Sequence, residues 1–123
     1  MTAPHPIKAV PVSMGRPFTV TVRIAHVEFP CAVKGDVTPV TVEVRYRAVS
    51  ASLEYRSLEE AVKAIARSKP WTAEELALTL SRLIADTLLA NHPPELYGAI
   101  RVRVRLHFQE TPDTSVEVEA AAP

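Results

Sequence analysis

Apolar and polar residues alternate strictly from Phe18. Phe18, Val20, Val22 and Ile24 point one way and Thr19, Thr21 and Arg23 the other, which is the period of a half-buried strand. The phase slips at Ala25, because Val27 and Phe29 then carry the apolar positions, and a one-residue slip inside a strand predicts a bulge. Pro30 to Pro39 reads as a loop. A second strand follows, with Val40, Val42, Val44 and Tyr46 against Thr41, Glu43, Arg45 and Arg47. The period then changes to helical. Ser57-Leu58-Glu59-Glu60 has the form of a capping box, with Ser57 as N-cap and Glu60 reaching back, and Leu58, Ala61, Val62 and Ile65 form one face until Pro70. Thr72 to Glu75 is a second capping box. Leu76, Leu80, Leu83, Ile84 and Leu88 continue from it at helical spacing, up to Asn91 and Pro93. The strand period returns at Ile100, where Val102, Val104, Leu106 and Phe108 alternate with Arg101, Arg103, Arg105 and His107. A last short strand is expected at Ser115 to Glu119.

The predicted order is β-β-α-α-β-β, an α+β class in which two helices cover the apolar face of an antiparallel four-stranded sheet. The other face is polar and rich in arginine. Residues 1–16 carry three prolines and no periodicity, so they are expected to be a flexible N-terminal arm, and residues 17–120 a single domain. No internal repeat interrupts the pattern.

Composition changes this picture little. Of 123 residues 47% are apolar, and 14 Lys and Arg balance 14 Asp and Glu, so overall charge gives no argument for a polyanionic partner. Neither a secretory signal nor an apolar run long enough for a membrane span is visible, which sets the expectation of a cytoplasmic protein away from membranes. The histidines His26, His92 and His107 have no metal-ligand spacing, so no metal is expected. The lone cysteine, Cys31, cannot form an internal disulfide. It is either a buried structural thiol or a nucleophile, and the nearby Lys34 and Asp36 on an expected loop favour the reactive reading.

The stretch "FPCAVKGDVTPVTVEVRYRAVSASLEYRSLEEAV" from Phe29 to Val62 resembles one segment of the 7-cyano-7-deazaguanine reductases. That segment runs from the nucleophilic cysteine, through a "TVEIRY"-like strand, to an "ESKSLK" motif, which reads "EYRSLE" here. The element order is likewise similar to that of the tunnelling fold, whose units join sheets into an oligomeric barrel with purine or pterin sites at subunit boundaries. The resemblance covers roughly residues 18 to 119. It implies that Cys31 attacks a nitrile carbon to form a thioimide, and that Glu74, or else Glu75, grips the guanine-like edge of the substrate. A carboxylate suits that edge because it can accept two adjacent N–H donors at once. It also implies substrate-binding positions at Glu54, Tyr55 and Ser57. For Glu54, as for Arg56 and Glu59, a solvated helix start is the competing reading. Tyr55 and Trp71 flank the presumed site and either stack on a base or pack in the core or at an interface.

The departures from the family pattern point to a branch within it. Thr38 stands where the reductases place a proton-moving aspartate, and Asp36 lies two residues earlier, so both are candidates for the catalytic set. Ala73 replaces the histidine of a "HE" pair. Arg56 and Glu59 stand where cofactor-binding lysines would be. The chain is therefore more similar to archaeal reductase-like proteins that need no cofactor. These let ammonia displace the thiol on tRNA carrying 7-cyano-7-deazaguanine, giving the formamidine of archaeosine. The partners this implies are that tRNA, ammonia and further copies of the chain in a ring, with Arg101, Arg103 and Arg105 either as a track for tRNA phosphates or as the polar wall of a tunnel. Three alternatives stay open: an NADPH-dependent 7-cyano-7-deazaguanine reductase of queuosine biosynthesis, a pterin enzyme such as a dihydroneopterin aldolase, and a non-catalytic purine- or tRNA-binding module.

Overall fold

A computed structural model describes residues 7–11, 16–48, 51–91 and 100–122. The elements are β1 (Ala9–Pro11), β2 (Phe18–Pro30), β3 (Val37–Ala48), β4 (Ala51–Leu53), α1 (Tyr55–Arg67), α2 (Ala73–Ala90), β5 (Ile100–Phe108) and β6 (Ser115–Ala122). Four of the strands form one antiparallel sheet in the order β2-β3-β5-β6, and β1 pairs with β4 in a separate two-stranded sheet. The α+β class, the antiparallel four-stranded sheet and the two helices agree with the alternation of periods along the chain. α1 lies over β2 and α2 over β5 and β6, so both helices cover the same face.

The core sits between that face and the helices. Val40, Val42, Val44, Val102, Val104 and Leu106 meet Leu58, Val62, Leu76, Leu80, Ile84 and Leu88, all essentially without solvent exposure. Each such side chain contributes roughly 1.5–3 kcal/mol on burial, which is why the amphipathic helices are stable here and would not be alone.

Several boundaries move from the sequence expectation. The bulge falls where the phase slips: the β2–β3 register shifts between Ile24 and Val27, and His26 adopts a left-handed φ of 59°. The expected loop from Pro30 to Pro39 is shorter, since β2 runs to Pro30 and β3 starts at Val37. Its prolines occupy a strand end and a strand on which only one side is needed for pairing in that stretch. Part of the expected N-terminal arm, Ala9–Pro11, is a strand, held by long-range pairing with Ala51–Leu53 that no local pattern announces. The last strand reaches Ala122 instead of Glu119, because Ala121 and Ala122 pair with Arg101 and Ile100.

The start of α1 is also different. Its N-cap is Glu54, not Ser57, and the helix begins at Tyr55. The Glu54 carboxylate accepts N–H bonds from Arg56 (3.1 Å) and Ser57 (2.6 Å), occupying both oxygens. α2 follows the expected capping box: Thr72 is the N-cap, and its Oγ1 accepts from the Glu75 N–H at 3.2 Å. α2 ends at Ala90 with Asn91 as its cap, while His92 and Pro93 lie outside the described residues.

Candidate active site

Cys31 opens the turn between β2 and β3. The last ladder pair of the hairpin is Pro30 with Val37, so one step further sets Cys31 opposite Asp36, and the Cys31 N–H donates to the Asp36 carbonyl at 2.8 Å. Closing so short a turn needs one left-handed residue, supplied by Gly35 at φ 78°, whose N–H donates to the Cys31 carbonyl at 2.8 Å. The Lys34 N–H in the same turn donates to Cys31 Sγ at 3.5 Å. The thiol is half-buried, packed on the rim of the core, while Ala32 to Asp36 are exposed.

A second segment holds the turn in place. Trp71, between the helices, forms a parallel bridge with Cys31: its N–H donates to the Pro30 carbonyl (2.8 Å) and its carbonyl accepts from Ala32 (2.9 Å). Its indole N–H donates to the Ile65 carbonyl at 3.0 Å, and the Lys69 ammonium sits 4.3 Å from its ring centroid. The bridge brings the first turn of α2 to the cysteine end of the sheet. There the two glutamates differ. Glu75 is engaged by its cap, with the Thr72 hydroxyl donating to it at 3.1 Å and Lys69 Nζ 4.0 Å away. Glu74 is exposed and has no hydrogen-bond or ion-pair partner among the described residues.

Thr38 lies on β3 opposite Phe29, on the helix-covered face, and is 6% exposed. It therefore faces the same side as Cys31 and Asp36 but is built into the core, whereas Asp36 is open to solvent.

Glu54, Tyr55 and Ser57 lie elsewhere. Tyr46, near the far end of β3, hydrogen-bonds Ser52 (2.8 Å) and accepts the Leu53 N–H (3.1 Å), which ties the start of α1 to that end. From Thr38 to Tyr46 is about 26 Å along β3, at roughly 3.3 Å per residue. Within one chain these three residues do not meet Cys31. The partners of Glu54 are local: hydrogen bonding by Ser57, its N–H first and its hydroxyl second, with lesser help from Arg56, holds the Glu54 carboxyl below its ordinary pKa. The Ser57 hydroxyl donates to the Glu54 carbonyl (3.0 Å) and accepts from the Lys8 N–H (2.9 Å), so it is buried and fully used. Tyr55 is 58% exposed. Burial raises the Tyr46 pKa against the opposing hydrogen bonds from Ser52 and Leu53.

The uncovered sheet face carries ordered rows of charge. Register places Arg23, Glu43, Arg105 and Glu117 in one line across all four strands. Arg23 Nε donates to Glu43 at 2.9 Å and Arg105 Nε to Glu117 at 2.8 Å, with Arg105 Nη2 also bonded to Glu117. Burial pushes the Glu43 pKa up, but the hydrogen bond and charge of Arg23, with His107 and Arg105, outweigh it and hold the carboxyl low. Arg103 reaches Glu119 at 3.6 Å. Arg101 has no acidic partner among the described residues.

Trp71 flanks Cys31 as the sequence reading expects, but through a backbone bridge and with a buried ring, which the sequence did not reveal. No cluster of metal-ligating side chains occurs among the described residues, and no helix among them is long and apolar enough to cross a membrane. No protein-family model matches the chain, and no curated protein matches it either.

Proposed function

We propose that the chain is a tRNA-modifying enzyme that converts the nitrile of 7-cyano-7-deazaguanine to the formamidine of archaeosine, using ammonia. The observation that carries this reading is the junction of Cys31, Asp36 and the free Glu74 at one end of the sheet, held by the Trp71 bridge. The Cys31 thiolate adds to the nitrile carbon, and the nitrile nitrogen takes up a proton, giving a thioimide. Ammonia then adds to that carbon. The C–S bond breaks, the thiolate returns to Cys31, and one proton leaves the incoming nitrogen, for which Asp36 is the base. The sum is nitrile plus ammonia to amidine, with no electron transferred and no cofactor needed. Glu74 accepts the paired N–H donors of the guanine-like edge.

Glu54, Tyr55 and Ser57 sit too far along the sheet to join this centre, and Glu54 and Ser57 are already engaged at the start of α1, so none of the three is given a role in it. The NADPH-dependent reductase is the alternative. It needs cations to hold a phosphorylated cofactor beside the thioimide. Glu59, at one of the two positions concerned, is negative and paired with Lys63 at 2.9 Å, which disfavours it.

Intact-mass measurement after mixing with 7-cyano-7-deazaguanine tests the reading. The protein should gain the mass of the whole compound, and Cys31→Ala should abolish the gain. Ammonium, not NADPH, should then discharge the adduct, and Asp36→Asn should slow that discharge more than adduct formation. An unmodified wild-type mass at saturating compound would overturn catalysis in favour of a binding module. NADPH consumption without amidine would favour the reductase.

A further inference from the structure

Charge on the uncovered sheet face is graded along the strands. In the row of Arg23, Glu43, Arg105 and Glu117, each cation has an acid beside it. One row on, Thr21, Arg45, Arg103 and Glu119 face one another, so two arginines share one acid. Beyond the Tyr46–Val102 pair, the register sets Arg47 opposite Arg101, flanked by Thr19 and Ala121, with no acid at all. Arg45, Arg47, Arg101 and Arg103 are all exposed. Like charges directly opposed across a ladder destabilise a sheet, and two such pairs stand side by side here. A monomeric sheet gains nothing from this arrangement, whereas an anion bound across it would relieve the repulsion and be held from four sides.

We infer that Arg45, Arg47, Arg101 and Arg103 form a binding site for the phosphate backbone of an unpaired RNA segment. The inference rests on the tRNA substrate of the proposed function and changes the residues expected to hold it. Arg105 leaves the track because two of its guanidinium nitrogens bond Glu117, whereas Arg103 has only Glu119 at 3.6 Å in a row with a second arginine, and Arg45 and Arg47 enter. The spacing suits a flexible single strand. Residues two apart on a strand are about 6.7 Å apart, and neighbouring strands about 4.8 Å, so four guanidinium groups present a flat patch that can engage successive phosphates. The patch lies toward the end of β3 away from Cys31. It would therefore set affinity and orientation without entering the reaction.

Fluorescence anisotropy with a short labelled single-stranded RNA of mixed sequence, over a range of salt concentrations, tests the site. For single strands each phosphate contact contributes a slope of about −0.7 in log K against log salt. Arg47→Gln/Arg101→Gln should flatten the slope by about 1.4. Arg105→Gln should leave it unchanged. Circular dichroism should find the double variant folded, since the change removes a repulsion. Its Cys31 adduct with free 7-cyano-7-deazaguanine should form at the wild-type rate. An unchanged slope in the double variant overturns the site, as does equal binding of the RNA as a duplex. A change in oligomeric state with unchanged RNA binding also overturns it and assigns the face to contacts between copies. If the adduct never forms but the slope behaves as expected, the RNA site stands and the catalytic reading falls.

Discussion

Glu54 shows how one side chain can look like a ligand-binding residue and be a structural one. It lies in the "EYRSLE" stretch, yet both of its carboxylate oxygens accept helix N–H groups. A carboxylate in that place also faces the positive end of the α1 dipole. Its folded pKa is depressed, so its stabilisation is present above the unfolded-state pKa and lost as pH falls through the folded value. Glu54→Gln keeps the shape and removes the charge. The variant should melt below wild type near neutral pH, and the gap should close in acid, below the ordinary carboxylate range. Thermal melts at a series of pH values measure this, and a gap that stays constant into acid would show that charge is not what holds the cap. Glu74 is the contrast: it is one residue from a capping carboxylate and has no hydrogen-bond or ion-pair partner among the described residues.

At the scale of elements, the β2 bulge carries a cost that can be measured. His26 sits at φ 59°, a conformation that disfavours L side chains by about 1–2 kcal/mol, and β-branched residues most of all. His26→Val should destabilise the fold by at least about 1 kcal/mol, while His26→Gly should be neutral or slightly stabilising, because relief of strain offsets the loss of about 0.5–1 kcal/mol in chain entropy. Urea denaturation distinguishes the two, and equal effects from both would mean the bulge residue is not strained. This bulge was legible in the sequence because an apolar face cannot change phase without an extra residue, and Ile24 and Val27 fix the phase on either side. The same logic made β3, β5 and α2 legible. What escaped was set by partners distant in the chain or by competition between close alternatives. β1 exists because Ala9–Pro11 finds Ala51–Leu53. Ser57 resembles a cap, but Glu54 three residues earlier outcompetes it, and the serine hydroxyl turns to Lys8 instead. The cysteine end of the site was partly legible, since Cys31, Asp36 and Thr38 are close in sequence. The Trp71 bridge and the pairing of Arg45 with Arg103 depend on strand and loop docking that no single segment encodes.

For the whole molecule the open question posed by the fold is its edges. Among the described residues no strand pairs with the outer edge of β2 or of β6, and β2 is the longest strand of the sheet at 13 residues. Such edges invite pairing with another chain. Here the geometry favours a closed, head-to-tail arrangement. Directions alternate across β2-β3-β5-β6, so β6 of one copy and β2 of the next would meet antiparallel in a ring with its axis along the strands. Charge alternates too. The row Arg23, Glu43, Arg105, Glu117 ends on an acid, and the next copy would begin on Arg23, so the alternation continues across the seam. We therefore expect native mass spectrometry to find a homo-oligomer. Two adjacent prolines test the seam itself. In an edge strand N–H groups alternate between the ladder and the open side. Of Thr21→Pro and Val22→Pro, one removes a hydrogen bond to β3 and should destabilise the fold. The other removes only an outward N–H, and should leave the fold intact while dissociating the ring. If both variants keep the wild-type mass, or if the wild type is a monomer at micromolar concentration, β2 is not a seam.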